Sequence, residues 1–182
     1  MADYRDLKDL MRAVNPRAPH DSFTKKVVPY LVDVWLDDYA RSNQNADIVE
    51  TTDSGFSYLF DIARERLIAA WGISKGRHGE PRDKNRMRGH PLSAGDLYHR
   101  GHAIPHTLGG PTNINLVPQL GKINIGPFRE LERNAVASPG SLYFTYWIYA
   151  RNDPTGQTPA GVDQGLLVAG HPPRIEITRH DN

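Results

Sequence analysis

The sequence predicts an α+β fold, in which a strand–strand–helix core sits on an antiparallel sheet. A helical N-terminal appendage is expected over residues 1–50 and the main domain over 51–182. Three patterns point there. Apolar residues recur at helical spacing before residue 42, short β-rich runs bounded by Gly and Pro dominate after residue 96, and one helical stripe at 128–135 interrupts them. A chain of 182 residues is long enough for one such domain, and 38% hydrophobic residues is a globular composition.

The first stripe, Tyr4, Leu7, Leu10, Met11 and Val14, predicts a short amphipathic helix that stops at Asn15-Pro16. A second helix is expected from a cap at Asp21 or Ser22 to about Arg41, with Leu31, Val34, Trp35 and Tyr39 on its apolar face and Pro29 marking a start or kink. SNQNADIVETTDSG reads as a loop with a short extended piece. Residues 56–73 fit two patterns. Phe56, Leu59, Phe60, Ala63, Leu67 and Trp71 make a helical face, Phe56, Tyr58 and Phe60 alternate as in a strand, and local propensity favours the helix. GDLYHRGHAIP and NINLVPQ predict two short strands around an LGGP turn. Gly126-Pro127 opens a helix of about 127–137, which Ser138-Pro139-Gly140 ends. SLYFTYWIYA is the strongest strand signal, and RIEIT closes the chain as an alternating strand after a Gly/Pro/Thr loop.

No run approaches the roughly 18 apolar residues of a membrane span, and MADYRDLKDL has no signal-peptide core. No membrane partner is expected, and the localisation stays open between action in the cytoplasm of a producing or target cell and secretion by a signal-independent route. With no Cys, any metal must sit on His, Asn, Asp or Glu. The net charge of +1 conceals a segregation: residues 1–63 sum to −4, 64–102 to +5 and 103–182 to zero. Lys75 to His90 carries six Lys/Arg among Gly and Pro, a strip suited to phosphates, with Arg82, Lys84, Arg86 and Arg88 as its main candidates.

The chemistry concentrates in residues 96–137, where His99, Arg100, His102 and His106 fall within eight residues. Cleaving a phosphodiester takes a base that works near neutral pH, a role suited to His. It also takes a hard cation on oxygen ligands and fixed positive charge against the phosphate, the latter suited to Arg. The string His99-Arg100-Gly101-His102, then Leu108-Gly109-Gly110, then Asn115-Leu116-Val117-Pro118-Gln119, then Asn124, Gly126, Phe128 and Leu131-Glu132 resembles the DNA/RNA non-specific endonucleases of the ββα-metal (His-Me finger) superfamily. The intervals of nine residues from Asn115 to Asn124 and eight from Asn124 to Glu132 match that family's spacing. FSYLFD followed by RERLIAAWG is also similar to a hairpin upstream of the motif in toxin-type members.

The resemblance implies a ββα-metal nuclease core and a role for each motif residue. His102 would be the general base. Asn124 would be the single direct ligand of Mg²⁺, or of Mn²⁺ or another divalent ion. Glu132 would orient metal-bound water, and Asn115 would help place His102. Arg100 would clamp the phosphate, with Arg129 and Arg133 as further nucleic-acid contacts. The implied reaction is non-specific hydrolysis of DNA, and of RNA as a further substrate, leaving 5′-phosphate ends. The toxin-type likeness implies a bacterial effector with an immunity protein as inhibitor. The sequence departs from the signature at His99, where the family has Asp, and at Phe128, where it usually has Trp. His99 raises a rival reading, a catalytically impaired module that binds nucleic acid or a partner protein. With His102 and His106 it also writes H-x-x-H-x-x-x-H, a zinc-like spacing that Gly101 and Pro105 keep off a helix.

Overall fold

A computed structural model describes residues 1–81, 94–153 and 156–182. Its elements are α1 (Leu7–Arg12), α2 (Pro19–Ser22), a π-helical turn (Phe23–Val27), α3 (Val28–Ala40), β1 (Ile48–Asp53), β2 (Phe56–Asp61), β3 (Arg66–Ile73), β4 (Tyr98–His102), β5 (Leu116–Leu120), α4 (Gly121–Asn124), α5 (Phe128–Val136), β6 (Leu142–Ile148), β7 (Gly161–Val168) and β8 (Arg174–Asp181). Six strands form one antiparallel sheet in the order β1-β2-β3-β6-β7-β8, and β4 and β5 pair separately.

The large sheet is covered on both faces, so its central strands are buried almost throughout. On one face Trp35 of α3 meets Trp71, Phe144 and Tyr146 at ring separations of 5.3–6.2 Å. Alternation sends Tyr143, Thr145 and Trp147 to the other face, where Phe128 of α5 lies 6.3 Å from Trp147 and 5.6 Å from His180. The N-terminal helices are tied down by polar contacts as well. Tyr39 donates to the buried Asp61 (2.7 Å), Tyr146 to Asp38 (3.0 Å), and Tyr4 to Asp163 (3.0 Å), which also pairs with Arg179.

The structure settles one open alternative and corrects other expectations. Residues 56–73 form the β2–β3 hairpin and not a helix, because Ser57–Asp61 pair with Arg66–Trp71 and both strand faces find apolar cover. The second helix begins at Pro19 with Ala18 at its cap position and no side-chain cap, so neither Asp21 nor Ser22 starts it. Pro29 does mark a start, since it sits in the first turn of α3, where no intrahelical N–H is needed, after the π-helical turn Phe23–Val27. β7 and α4 carried no expected element. In β7, GVDQGLLV lacks alternation because both of its faces are buried. The first helix is shorter than its stripe, Leu7–Arg12, with Leu7 and Met11 buried.

Candidate active site

The candidate residues come from β4, β5, α4 and α5, a contiguous strand–strand–helix unit. β4 and β5 pair antiparallel with Arg100 opposite Pro118 and His102 opposite Leu116. Strand alternation puts Arg100 and His102 on one face, with His99 and Gly101 on the other. Glycine is required at 101 because the Gln119 side chain, fully buried, lies where a Cβ would project. His102 is only 7% exposed, and its ring centre is 6.0 Å from that of His106.

Asn115 is the pin of this site. It is fully buried, and its Oδ1 accepts the Ile104 N–H (2.6 Å) while its Nδ2 donates to the carbonyls of Ile104 (2.7 Å) and Pro111 (3.0 Å). Its own carbonyl accepts the Ala103 N–H at 2.9 Å. The backbone just after His102 is thereby clamped, and the loop closes so tightly that a Cβ at Gly110 would strike the Ile104 carbonyl oxygen.

α4 follows β5 directly and packs on β4 and β5. Asn124 ends it, half-buried, and α5 begins after Gly126-Pro127. Phe128, Leu131 and Ala135 turn into the core, Glu132 is half-buried beside that face, and Arg129 and Arg133 project to solvent. Glu132 is close enough for its charge to act on Tyr143, whose hydroxyl is held well above its ordinary pKa by burial first and by that carboxylate second. Arg82, Lys84, Arg86 and Arg88 lie outside the described residues.

His99 is exposed on the face opposite His102, its ring 2.8 Å from where a Cβ at Gly121 would be. Among the described residues no group of three or more His, Asp or Glu is arranged to hold a metal, so the zinc-like spacing forms no cage. Asn124 offers a single half-buried amide oxygen, a donor that a hard divalent cation could use while keeping most of its waters.

The residues that seat α5 had no signal in the sequence. Gln164 Nε2 donates to the Phe128 carbonyl (2.8 Å) and to the Tyr143 hydroxyl (2.9 Å), and Gln164 Oε1 accepts from His180 Nε2 (3.0 Å). All three side chains are buried, and burial holds the His180 pKa below the ordinary imidazole value. Ser74 ties the other end of the helix, donating to the Ala135 carbonyl at 2.7 Å. These partners are far from α5 in sequence, so no local pattern announces them.

This strand–strand–helix unit, set on an antiparallel sheet, has the element order expected of a ββα-metal core. Residues 72–141 match the family model of the DNA/RNA non-specific endonucleases, a stretch that includes every motif residue from His99 to Glu132. The fold is similar to that of NucA from Streptococcus agalactiae with no metal bound, at 16% identity, covering 80% of this chain and 88% of that one with a TM-score of 0.51. The crystal structure of NucA with magnesium bound gives the same figures. EndoG, in its complex with EndoGI, is similar over 81% of this chain and 80% of its own, at 13% identity and a TM-score of 0.56. No curated protein matches the chain in sequence. The matched stretch is similar to these endonucleases, and the fold as a whole is similar to that of the two nucleases. No helix among the described residues is long and apolar enough to cross a membrane.

Proposed function

We propose that the chain is a divalent-metal-dependent endonuclease of low sequence preference, acting on DNA and, as a second substrate, on RNA. The nuclease domain would be residues 51–182, with 1–50 as a largely helical appendage packed on its sheet, whose last three residues, Ile48–Glu50, begin β1. The observation that carries the reading is the placement of Arg100 and His102 on one face of β4, beside a backbone that Asn115 clamps. In this reading His102 takes a proton from the attacking water, which general-base catalysis requires of a group held in fixed orientation. Arg100 binds the phosphate oxygens through its planar fork of donors. Asn124 would hold Mg²⁺ through its side-chain oxygen, and Glu132 would orient water near it. The ion, when bound, supplies positive charge against the phosphate as the bond breaks. Contacts of this kind address the backbone and carry no base information, which supports low sequence preference.

The deciding experiment incubates purified protein with plasmid and with RNA, in Mg²⁺ or in chelator, alongside His102→Ala. Cleavage that needs both the ion and His102 supports the reading, and cleavage indifferent to His102 overturns it. A narrower role as a bacterial effector toxin held by an immunity protein is supported by the β2–β3 hairpin upstream of the motif. Co-purification with an inhibitor encoded beside it would test that role. The rival reading of an impaired, nucleic-acid-binding module rests on His99. It predicts binding without cleavage in the same assay.

A further inference from the structure

Beside the loop that follows His102 lies an open cleft of about 600 Å³, within the usual size of a ligand site. Of the motif string it includes Leu108-Gly109-Gly110, and none of the residues given a catalytic, metal-binding or phosphate-binding role above. One wall is the loop His106–Asn113, whose shape Asn115 fixes. The other is the segment 75–81 that leaves β3, and the β1–β2 turn forms the end. The two walls are bonded to each other: His78 N–H donates to the Thr107 carbonyl (2.7 Å), and His106 Nε2 donates to the Glu80 carbonyl (2.9 Å). His106 connects the cleft to the candidate base, since its ring stands 5.9 Å from His78 on one side and 6.0 Å from His102 on the other.

Lys75 and Arg77 line this cleft, are exposed, and form no ion pair among the described residues. Segment 75–81 cannot swing freely. Besides its two bonds to the opposite wall, Gly76 N–H donates to Ser74 Oγ (3.1 Å), and Ser74 is itself fixed to the end of α5. The cations are therefore mounted on a braced backbone, which lowers the entropy lost when they engage a ligand. Two carboxylates also line the cleft, Asp53, which accepts a bond from Ser54 (2.9 Å), and the exposed Glu80. The cleft is thus not a general sink for anions, and an anionic polymer would be drawn to Lys75 and Arg77 and repelled at Glu80.

We propose that this cleft is a flanking subsite for the DNA backbone, in which Lys75 and Arg77 hold phosphates adjacent to the one placed at His102. It rests on the nuclease reading and names where the rest of the polymer lies.

The test measures binding of a short fluorescent DNA duplex in a His102→Ala background, where cleavage is silenced, as salt is varied. Each phosphate contact contributes about 0.9 to the salt slope, so Lys75→Ala/Arg77→Ala should reduce it by about 1.8 and shrink the affinity ratio between about 50 and 200 mM salt roughly tenfold. Glu80→Gln should shift affinity in the opposite direction, tightening binding. With His102 intact, the double variant should lose plasmid cleavage through a raised KM, yet hydrolyse a single-nucleotide p-nitrophenyl phosphodiester at the parental rate. Lys75→Gln/Arg77→Gln, checked by circular dichroism, guards against a folding defect. An unchanged salt slope in both double variants overturns the subsite. A parent protein that cleaves neither substrate, while the slope falls as expected, overturns the nuclease reading and leaves the subsite standing.

Discussion

His102 is both buried and adjacent to a clamped backbone, a combination suited to a base whose orientation matters more than its access to bulk water. General-base catalysis is typically worth about 10²–10⁴-fold, so His102→Ala should lose activity on that scale in a steady-state cleavage assay while the circular dichroism spectrum stays unchanged. His99 should behave otherwise. It faces away from His102, so His99→Asp, which installs the residue that the resembling endonucleases carry, should keep or raise Mg²⁺-supported cleavage. A collapse of activity in that variant would place His99 in the machinery. Asn115 differs from both, because its side chain is spent wholly on the backbone. Removing it leaves the buried Ile104 N–H and carbonyl without partners, at roughly 1–3 kcal/mol each. Asn115→Ala should therefore lower unfolding stability by about 2–5 kcal/mol in urea denaturation and reduce cleavage together with it.

At the scale of elements, the position of Asn124 and Glu132 depends on how α5 sits on the sheet, and that is set by Phe128 and Gln164. His180 completes this network and is held neutral by burial, so its pKa is lower in the folded chain than in the unfolded one. In the unfolded chain it takes up a proton near its ordinary value of roughly 6.5. Between that value and the depressed folded one the unfolded state binds more protons, so stability falls as the pH drops through this window and is fully present above it. Melting temperature measured across this range should show that decline, and His180→Phe should flatten it. A decline that is equally steep in the variant would assign the pH dependence to other groups. The β4–β5 pair shows a different constraint. Its register leaves room for nothing but hydrogen at Gly101 against Gln119, so a side chain there must displace the strand that carries His102.

Across the whole molecule, one sheet is shielded by N-terminal helices on one face and by the strand–strand–helix unit on the other, and the apolar core is built without any metal-holding cluster among the described residues. Chelation should therefore abolish cleavage and leave the melting temperature close to its starting value. A chelator that unfolds the chain would reveal a metal that is part of the fold. The candidate residues Arg100, His102, Asn115, Asn124 and Glu132 were legible in the sequence as residue types at fixed spacing, and the strand–strand–helix unit that carries them follows the same order. The amphipathic stripes at Leu31–Tyr39 and Phe128–Ala135 were legible for a similar reason, since a helix packed on one side exposes the other and the pattern shows it. Tertiary structure decided between the helix and the hairpin that the pattern at 56–73 left open, and it alone made 161–168 a strand. A strand buried on both faces loses the alternation that identifies it, and which neighbours bury it is not a local property. The same holds for Gln164, His180 and Ser74, whose importance lies in carbonyl groups many residues away that only the folded chain brings within hydrogen-bonding reach.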